Sequence, residues 1–95
     1  MEVRWLVLLV SCGEALRSPG GALRKLFAQE KIHIMPCCYD GITARCVERA
    51  GFELSFMTGF GVAASRGYAD AGLLSFGEMQ DSARIIASSL RSIPF

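Results

Sequence analysis

Two short segments of the chain combine small and polar residues in a way that suits ligand binding. The first spans residues 36–40, and the second spans residues 58–70. Gly59 and Gly61 let the backbone of the second segment approach a ligand closely, and the amides at its start could point at a carboxylate or phosphonate oxygen. A Gly-Phe-Gly turn that only reverses the chain explains the same residues more simply. Spacing alone therefore does not establish an anion site.

Tyr39, Asp70 and a pair of neighbouring cysteines are the other residues with chemical potential. Tyr39 either closes over a ligand or packs, and Asp70 either ligates a cation through water or is a capping or solvated side chain. Packing and capping are the simpler interpretations. A nucleophilic Cys37 or Cys38 would need a charged imidazole or a cluster of cations to stabilise its thiolate, and the sequence places neither of these beside the two cysteines.

The four cysteines, Cys12, Cys37, Cys38 and Cys46, and the single histidine, His33, do not predict a metal site. Structural zinc sites use spaced ligand pairs, and the sequence has no Cys-x-x-Cys pair. Reduced thiols in an intracellular protein are the preferred interpretation.

The elements that would position these residues alternate between helical and extended patterns. Leu23, Leu26 and Phe27 predict a short helix over residues 22–29. The β-branched run Ile32–Met35 predicts a buried strand, which Pro36 should end because proline lacks a backbone donor.

A second helix is predicted after Asp40, whose carboxylate can cap it, and Gly51 supplies the left-handed stop. Its predicted apolar face consists of Ile42, Cys46, Val47 and Ala50. Residues 52–58 predict a second strand that Gly59 and Gly61 end, followed by a turn-rich stretch. One face of that strand should carry Leu54, Phe56 and Thr58, and the other Ser55 and Met57.

Ser75 and Glu78 form a capping box that begins a further helix. Its apolar face is predicted from Met79, Ala83, Ile86, Ala87 and Leu90. Residues 92–95 predict the opening of a third strand. This order indicates an α/β fold of βαβ units, in which the loops after the carboxyl ends of parallel strands converge on one ligand-binding side.

Length and charge exclude several classes of function. The 95 residues are fewer than the roughly 250 of a complete eightfold barrel. A formal charge of +1 with scattered basic residues disfavours nucleic acid as a partner. The leading apolar run is too short for a membrane span, which needs about 20 residues. We expect residues 1–21 to be a leader or extension, with a cytoplasmic or organellar (chloroplast or mitochondrion) location favoured over secretion.

The order of YDGITARCVERAGF, FMTGFGVAASR and LLSFGEM in residues 23–95 is specific. It resembles the phosphoenolpyruvate mutase and isocitrate lyase superfamily, in particular its carboxyvinyl-carboxyphosphonate phosphorylmutase-like members. The resemblance implies that residues 22–95 form the amino-terminal (βα)2 to (βα)3 portion of a (β/α)8 TIM barrel, incomplete by itself. It also implies an Mg²⁺-dependent enzyme that makes or breaks C–C or P–C bonds in small α-keto or carboxylate substrates through an enolate.

By the same resemblance, Phe56 matches an aromatic shelf for the substrate. Thr58, Gly59 and Phe60 match the loop that receives the substrate's carboxylate and carbonyl oxygens. Asp70 matches an aspartate in the outer coordination sphere of the metal, although Ala69 stands where the family commonly has proline. The family's Asp-x-Asp-x-Gly-Tyr-Gly metal segment and its Lys-Lys-Cys-Gly-His catalytic loop are absent from the sequence.

The resemblance leaves three hypotheses about function. The chain is a truncated lyase or mutase that is inactive alone, an interaction fragment that joins full-length relatives in a homo- or hetero-oligomer, or an incomplete gene product. Strands that are apolar on both faces expect neighbours on both edges, so we also expect the isolated chain to be poorly stable or prone to aggregate.

Overall fold

A computed structural model describes residues 19–95 of the chain, and the predicted leader lies mostly outside them. In chain order the described elements are α1 (Pro19–Phe27), β1 (Cys37–Cys38), α2 (Gly41–Arg49), β2 (Phe56–Met57), α3 (Gly59–Ser65) and α4 (Phe76–Ser89). The two strands are parallel and pair with Cys37 opposite Phe56 and Cys38 opposite Met57. Helices thus separate parallel strands, as the βαβ prediction requires.

The predicted first strand, Ile32–Met35, is wrong in position. These residues lie outside any strand, and the apolar ones are exposed, with 93% of Ile32 and 68% of Ile34 accessible to solvent. The strand follows the proline instead of preceding it. Pro36 is tolerated there because only its carbonyl pairs, accepting a hydrogen bond from the Phe56 amide at 3.3 Å.

The first helix begins and ends earlier than predicted, and its Phe27 is 62% exposed rather than part of a buried stripe. Side chains of the following linker anchor this helix to the loop before β2. His33 contacts the Leu26 carbonyl oxygen at 2.8 Å through Nε2 and the Glu53 carboxylate at 3.2 Å through Nδ1. Lys31 forms an ion pair with the same carboxylate at 2.9 Å.

The second strand is shorter than predicted, and its predicted division into two faces fails. Leu54 and Ser55 are both buried, whereas 40% of Phe56 is exposed. The reason is that the Ser55 hydroxyl is satisfied inside the fold, where it donates to the Pro36 carbonyl oxygen at 2.8 Å. No strand forms over residues 92–95 in the described part, although the Ser55 amide donates to the Pro94 carbonyl oxygen at 3.1 Å.

The second helix has the predicted cap and stop but a different buried face. Asp40 caps it, and Gly51 has the left-handed φ of 85°. Ala44 and Val47 are buried, whereas Ile42 is 75% exposed and Cys46 and Ala50 are exposed as well. Of the predicted face only Val47 is buried, because α2 packs on α4 and β1 through Ala44, and the pattern of apolar residues does not reveal that direction.

The first part of the turn-rich stretch predicted after β2 is instead a helix, α3, with Val62 and Ala63 buried, and turns follow only over residues 66–75. The capping box before α4 is confirmed, and Ile86 of its predicted face is completely buried. The small core centres on Cys38, Ala44 and Ile86, with Met57 and Leu90 packed against it. Both candidate segments, residues 36–40 and 58–70, therefore lie on or directly after the paired strands.

Candidate functional site

The candidate site lies at the carboxyl ends of β1 and β2, which are next to each other in the sheet. Tyr39 and Asp40 follow β1 directly, and Thr58 follows β2 directly. The Thr58 amide donates to the Cys38 carbonyl oxygen at 3.0 Å, which holds the two strand ends side by side. Ligands of parallel α/β folds bind at this edge, so the structure brings the two predicted segments to one place.

Thr58 begins α3 as its N-cap. Its backbone is extended and its Oγ1 accepts a hydrogen bond from the Gly61 amide at 3.2 Å. Within the described residues, the amides of Gly59 and Phe60 donate to no protein acceptor. The side chain of Thr58 is therefore occupied in capping, whereas the two amides after it are available to another acceptor.

Gly61 is required by the close approach of the two strand ends. A Cβ added at this residue would lie 2.6 Å from Thr58 Cγ2 and 2.9 Å from Tyr39 Cβ. These distances are shorter than contacts that real Cβ atoms make. Tyr39 thus packs against the start of α3, which agrees with the packing interpretation of this residue.

Asp40 acts as a helix cap. Its Oδ1 accepts a hydrogen bond from the Thr43 amide at 2.7 Å, and its own amide donates to Thr43 Oγ1 at 3.1 Å. The bond from the Thr43 amide, followed by the bond from the Thr43 hydroxyl, lowers the pKa of the Asp40 carboxyl. The carboxylate is therefore held ionised at the mouth of the site.

Arg66, which the sequence did not single out, connects the end of α3 to α4. Its guanidinium donates to Ser82 Oγ at 2.9 Å and lies 3.7 Å from the Glu78 carboxylate. Arg66 and Ser82 border a shallow cleft of about 120 Å³ that Tyr39 and Asp40 also line. The prediction missed Arg66 because its position depends on α3, and the Ala-rich GVAAS run is the signal that could have indicated that helix.

Of the remaining predicted residues, Phe56 and Phe60 lie at the site and Asp70 does not. Phe56 and Phe60 are 40% and 64% exposed, on β2 and at the start of α3. Asp70 lies in an exposed turn after α3, and no hydrogen bond or ion pair joins its side chain to another described residue. The structure therefore groups residues 56–60 with Tyr39 but does not link Asp70 to them.

The cysteines differ in environment. The thiol of Cys38 is completely buried and lies 3.6 Å from the Phe56 carbonyl oxygen, to which it donates, whereas Cys37 and Cys46 are exposed free thiols. Among residues 19–95, no three or more His, Cys, Asp and Glu side chains gather where they could hold a metal ion. In the same range, no helix is long and apolar enough to span a membrane.

Comparison with known proteins gives a consistent result. The family model for phosphoenolpyruvate phosphomutase matches residues 23–94. The chain is 38% identical over 71 residues to the chloroplastic carboxyvinyl-carboxyphosphonate phosphorylmutase of Arabidopsis thaliana. These 71 residues are 74% of this chain and 21% of that protein. It is 37% identical over 68 residues to the 2,3-dimethylmalate lyase of Eubacterium barkeri, which is 70% of this chain and 24% of that protein.

The 2-methylisocitrate lyase of Bacillus subtilis (strain 168) is 32% identical over 80 residues, 84% of this chain and 26% of that protein. The chain thus spans about a fifth to a quarter of the length of these relatives.

A crystal structure of 2,3-dimethylmalate lyase superposes with a TM-score of 0.73 at 33% identity, over 83% of this chain and 28% of that one. The chain has an α/β fold similar to this member of the superfamily. On the matched family model, the relatives and the shared fold, the chain belongs to the phosphoenolpyruvate mutase and isocitrate lyase superfamily.

Proposed function

We propose that the chain supplies part of the substrate site of a lyase or phosphomutase that acts on a small α-keto or carboxylate substrate through an enolate. The observation that carries this proposal is the pair of amides, Gly59 and Phe60, at the carboxyl edge of the parallel strands. Backbone donors placed where negative charge develops stabilise an enolate oxygen without having to reorganise.

The individual roles extend the family resemblance to this geometry. The Gly59 and Phe60 amides receive the carboxylate or carbonyl oxygens of the substrate, and Thr58 holds these amides in position as the cap of α3. Phe56, partly exposed on β2, provides an apolar shelf for the substrate's carbon chain. Tyr39 limits the space beside Gly61 and so shapes the wall of the site.

The described residues do not by themselves form a magnesium site. Mg²⁺ requires several oxygen ligands, and in the described range no three or more His, Cys, Asp and Glu side chains gather where they could hold a metal ion. We propose that Asp70 contributes only to the outer coordination sphere, and that the ligands contacting the ion belong to polypeptide beyond these residues. For this reason we expect the chain alone to show no turnover.

A chimera tests the substrate-site proposal. Residues 23–94 would replace the matching segment of 2,3-dimethylmalate lyase, and turnover of 2,3-dimethylmalate would be measured. Gly59→Pro then removes one amide at the first residue of α3, where proline is tolerated and where Thr58 already has the extended backbone that proline requires. Loss of one such donor should lower kcat by about 10²–10³-fold.

Phe76→Pro is the matched control for this substitution. Phe76 is the first residue of α4, it is 81% exposed, and Ser75 before it also has an extended backbone. This variant should keep the turnover of the parent chimera, because the amide it removes lies at another helix. An active Gly59→Pro chimera would contradict the proposed role of the amide.

A second candidate function is a non-catalytic fragment that associates with full-length relatives. The bonds from β1 to β2 use Pro36 and Cys38, so the backbone groups of Cys37 face the opposite, open edge. Exposed Ile32 and Ile34 precede this edge. Co-expression with a full-length relative separates the two candidates, since stable co-purification in fixed ratio favours association and its absence favours the catalytic role.

We further propose an organellar or cytoplasmic location for the protein. The chloroplastic relative supports this proposal. Fluorescence microscopy of the full chain carrying a carboxyl-terminal fluorescent protein tests it, and secretion into the medium would be the contrary result.

A further inference from the structure

Glu48, next to the last residue of α2, bonds to the segment that follows α4. One of its carboxylate oxygens, Oε1, accepts hydrogen bonds from the Arg91 amide at 2.9 Å and from the Ser92 amide at 2.7 Å. The Ser92 hydroxyl donates to the same oxygen at 2.8 Å. Hydrogen bonds to an ionised acceptor are about twice as strong as those between neutral groups, so the three bonds to Glu48 are stronger than bonds to a neutral side chain would be.

The turn that Glu48 contacts has few other supports. Helix α4 ends at Ser89, and the capping residue Leu90 is extended with ψ of 143°, so no left-handed residue closes the helix there. The Leu90 amide still bonds to the Ile86 carbonyl oxygen, but the next two amides point away from the helix and find their acceptor in Glu48. The carboxylate thus satisfies amides that the helix end leaves open.

The residues after this turn reach the edge of β2. Pro94 is buried, and its carbonyl oxygen accepts a hydrogen bond from the Ser55 amide at 3.1 Å. Proline has no amide, so this carbonyl is the only backbone group through which Pro94 can pair. The path from Ser92 to Pro94 is therefore fixed at one end by Glu48 and at the other by Ser55.

We propose that Glu48 is a positioning residue, whose carboxylate directs the segment after α4 onto the free edge of β2. This role is distinct from substrate binding and does not depend on the proposed function. The Arg91 and Ser92 amides also lower the pKa of Glu48, which keeps it ionised at neutral pH. No ion pair joins Glu48 to another residue in the described part, so the facing groups are the amides and hydroxyl of this turn.

Amide hydrogen exchange of the full chain, followed by NMR, tests this inference. Glu48→Gln should lower the protection of the Arg91, Ser92 and Ser55 amides by about tenfold or more, since a charged hydrogen-bond acceptor is lost. The Val62 amide, which bonds to the Thr58 carbonyl oxygen in α3, should keep its protection. Glu30→Gln, at an exposed carboxylate, is the matched control and should change none of these amides.

An equal loss of protection at all amides, or a loss at Arg91 and Ser92 that spares Ser55, would overturn the proposal. An acid titration of the unsubstituted chain gives a second test that needs no substitution, with the Val62 amide as the reference that reports acid unfolding. The Arg91, Ser92 and Ser55 amide shifts should move with a common midpoint as Glu48 takes up its proton. Independent midpoints, or amides that exchange at unprotected rates throughout, would also refute it.

Discussion

At the scale of the residue, Gly61 shows how closely the two strand ends approach each other. Sequence reasoning identified Gly59 and Gly61 as places where the backbone could come near a ligand. In the structure, glycine is needed at residue 61 for a different reason, because Thr58 and Tyr39 fill the space that a side chain would occupy. Spacing along the chain could locate the glycine, but the neighbour that requires it lies 22 residues away and becomes visible only in the fold.

Gly61→Ala is expected to destabilise the chain by about 1–3 kcal/mol, the usual range for a forced extra carbon in a packed place. Urea unfolding followed by circular dichroism measures this change. Gly20→Ala is the matched control, because nothing lies within 4 Å of a Cβ added there. A Gly61→Ala protein as stable as the parent would show that the contact with Tyr39 relaxes freely.

At the scale of the element, helix ends were more predictable than helix faces. Asp40, Gly51 and the Ser75–Glu78 box were all read correctly, because a cap depends on residues within one turn. Most of the buried face of α2 and the existence of α3 were missed, because both depend on which neighbours the element packs against. Parallel strands were predicted, but the position of the first strand after Pro36 was missed for the same reason, since the Pro36 carbonyl accepts from a donor on another strand.

The carboxylates that cap helices and turns predict an acid-sensitive fold. Hydrogen bonds lower the pKa of Asp40, Glu48 and Glu78, and the Lys31 contact lowers that of Glu53. The unfolded chain therefore binds more protons in acid, and the free energy of unfolding falls as the pH drops. The stability that these carboxylates contribute is complete above the ordinary pKa values of 3.8 for Asp and 4.5 for Glu. It is lost as the pH falls through the lower pKa values of the folded chain.

Asp40→Asn should reduce this acid sensitivity while nearly preserving stability at neutral pH, because asparagine also caps helices well. Urea unfolding at a series of pH values measures both quantities. Asp81→Asn, at an exposed carboxylate of α4 outside the caps, serves as the control. If the slope of stability with pH is unchanged in the Asp40 variant, the Asp40 carboxylate does not contribute to the acid sensitivity.

At the scale of the whole molecule, the described chain has two paired strands and a small core. Several large apolar side chains are exposed, among them Ile32 at 93%, Phe76 at 81% and Ile42 at 75%. Exposed apolar surface beside an open strand edge favours association with other chains. The family and the α/β architecture were predictable from sequence, because the motif order depends on local residues, whereas these exposed faces depend on which neighbours are present.

We expect the purified chain to associate as its concentration rises, and Ile32→Glu to reduce that association. Analytical ultracentrifugation over a concentration series measures the effect. Gln29→Glu adds the same charge at an exposed polar position and should leave association unchanged. A monomeric parent chain that melts cooperatively would contradict this expectation.

We propose that this chain carries a substrate-side portion of the superfamily's site but not the ligands that hold its metal. Titration calorimetry of Mg²⁺ into the purified full chain tests this claim most directly. We expect no stoichiometric binding, since among residues 19–95 no three or more His, Cys, Asp and Glu side chains gather where they could hold a metal ion. Tight capture of one Mg²⁺ per chain would contradict it.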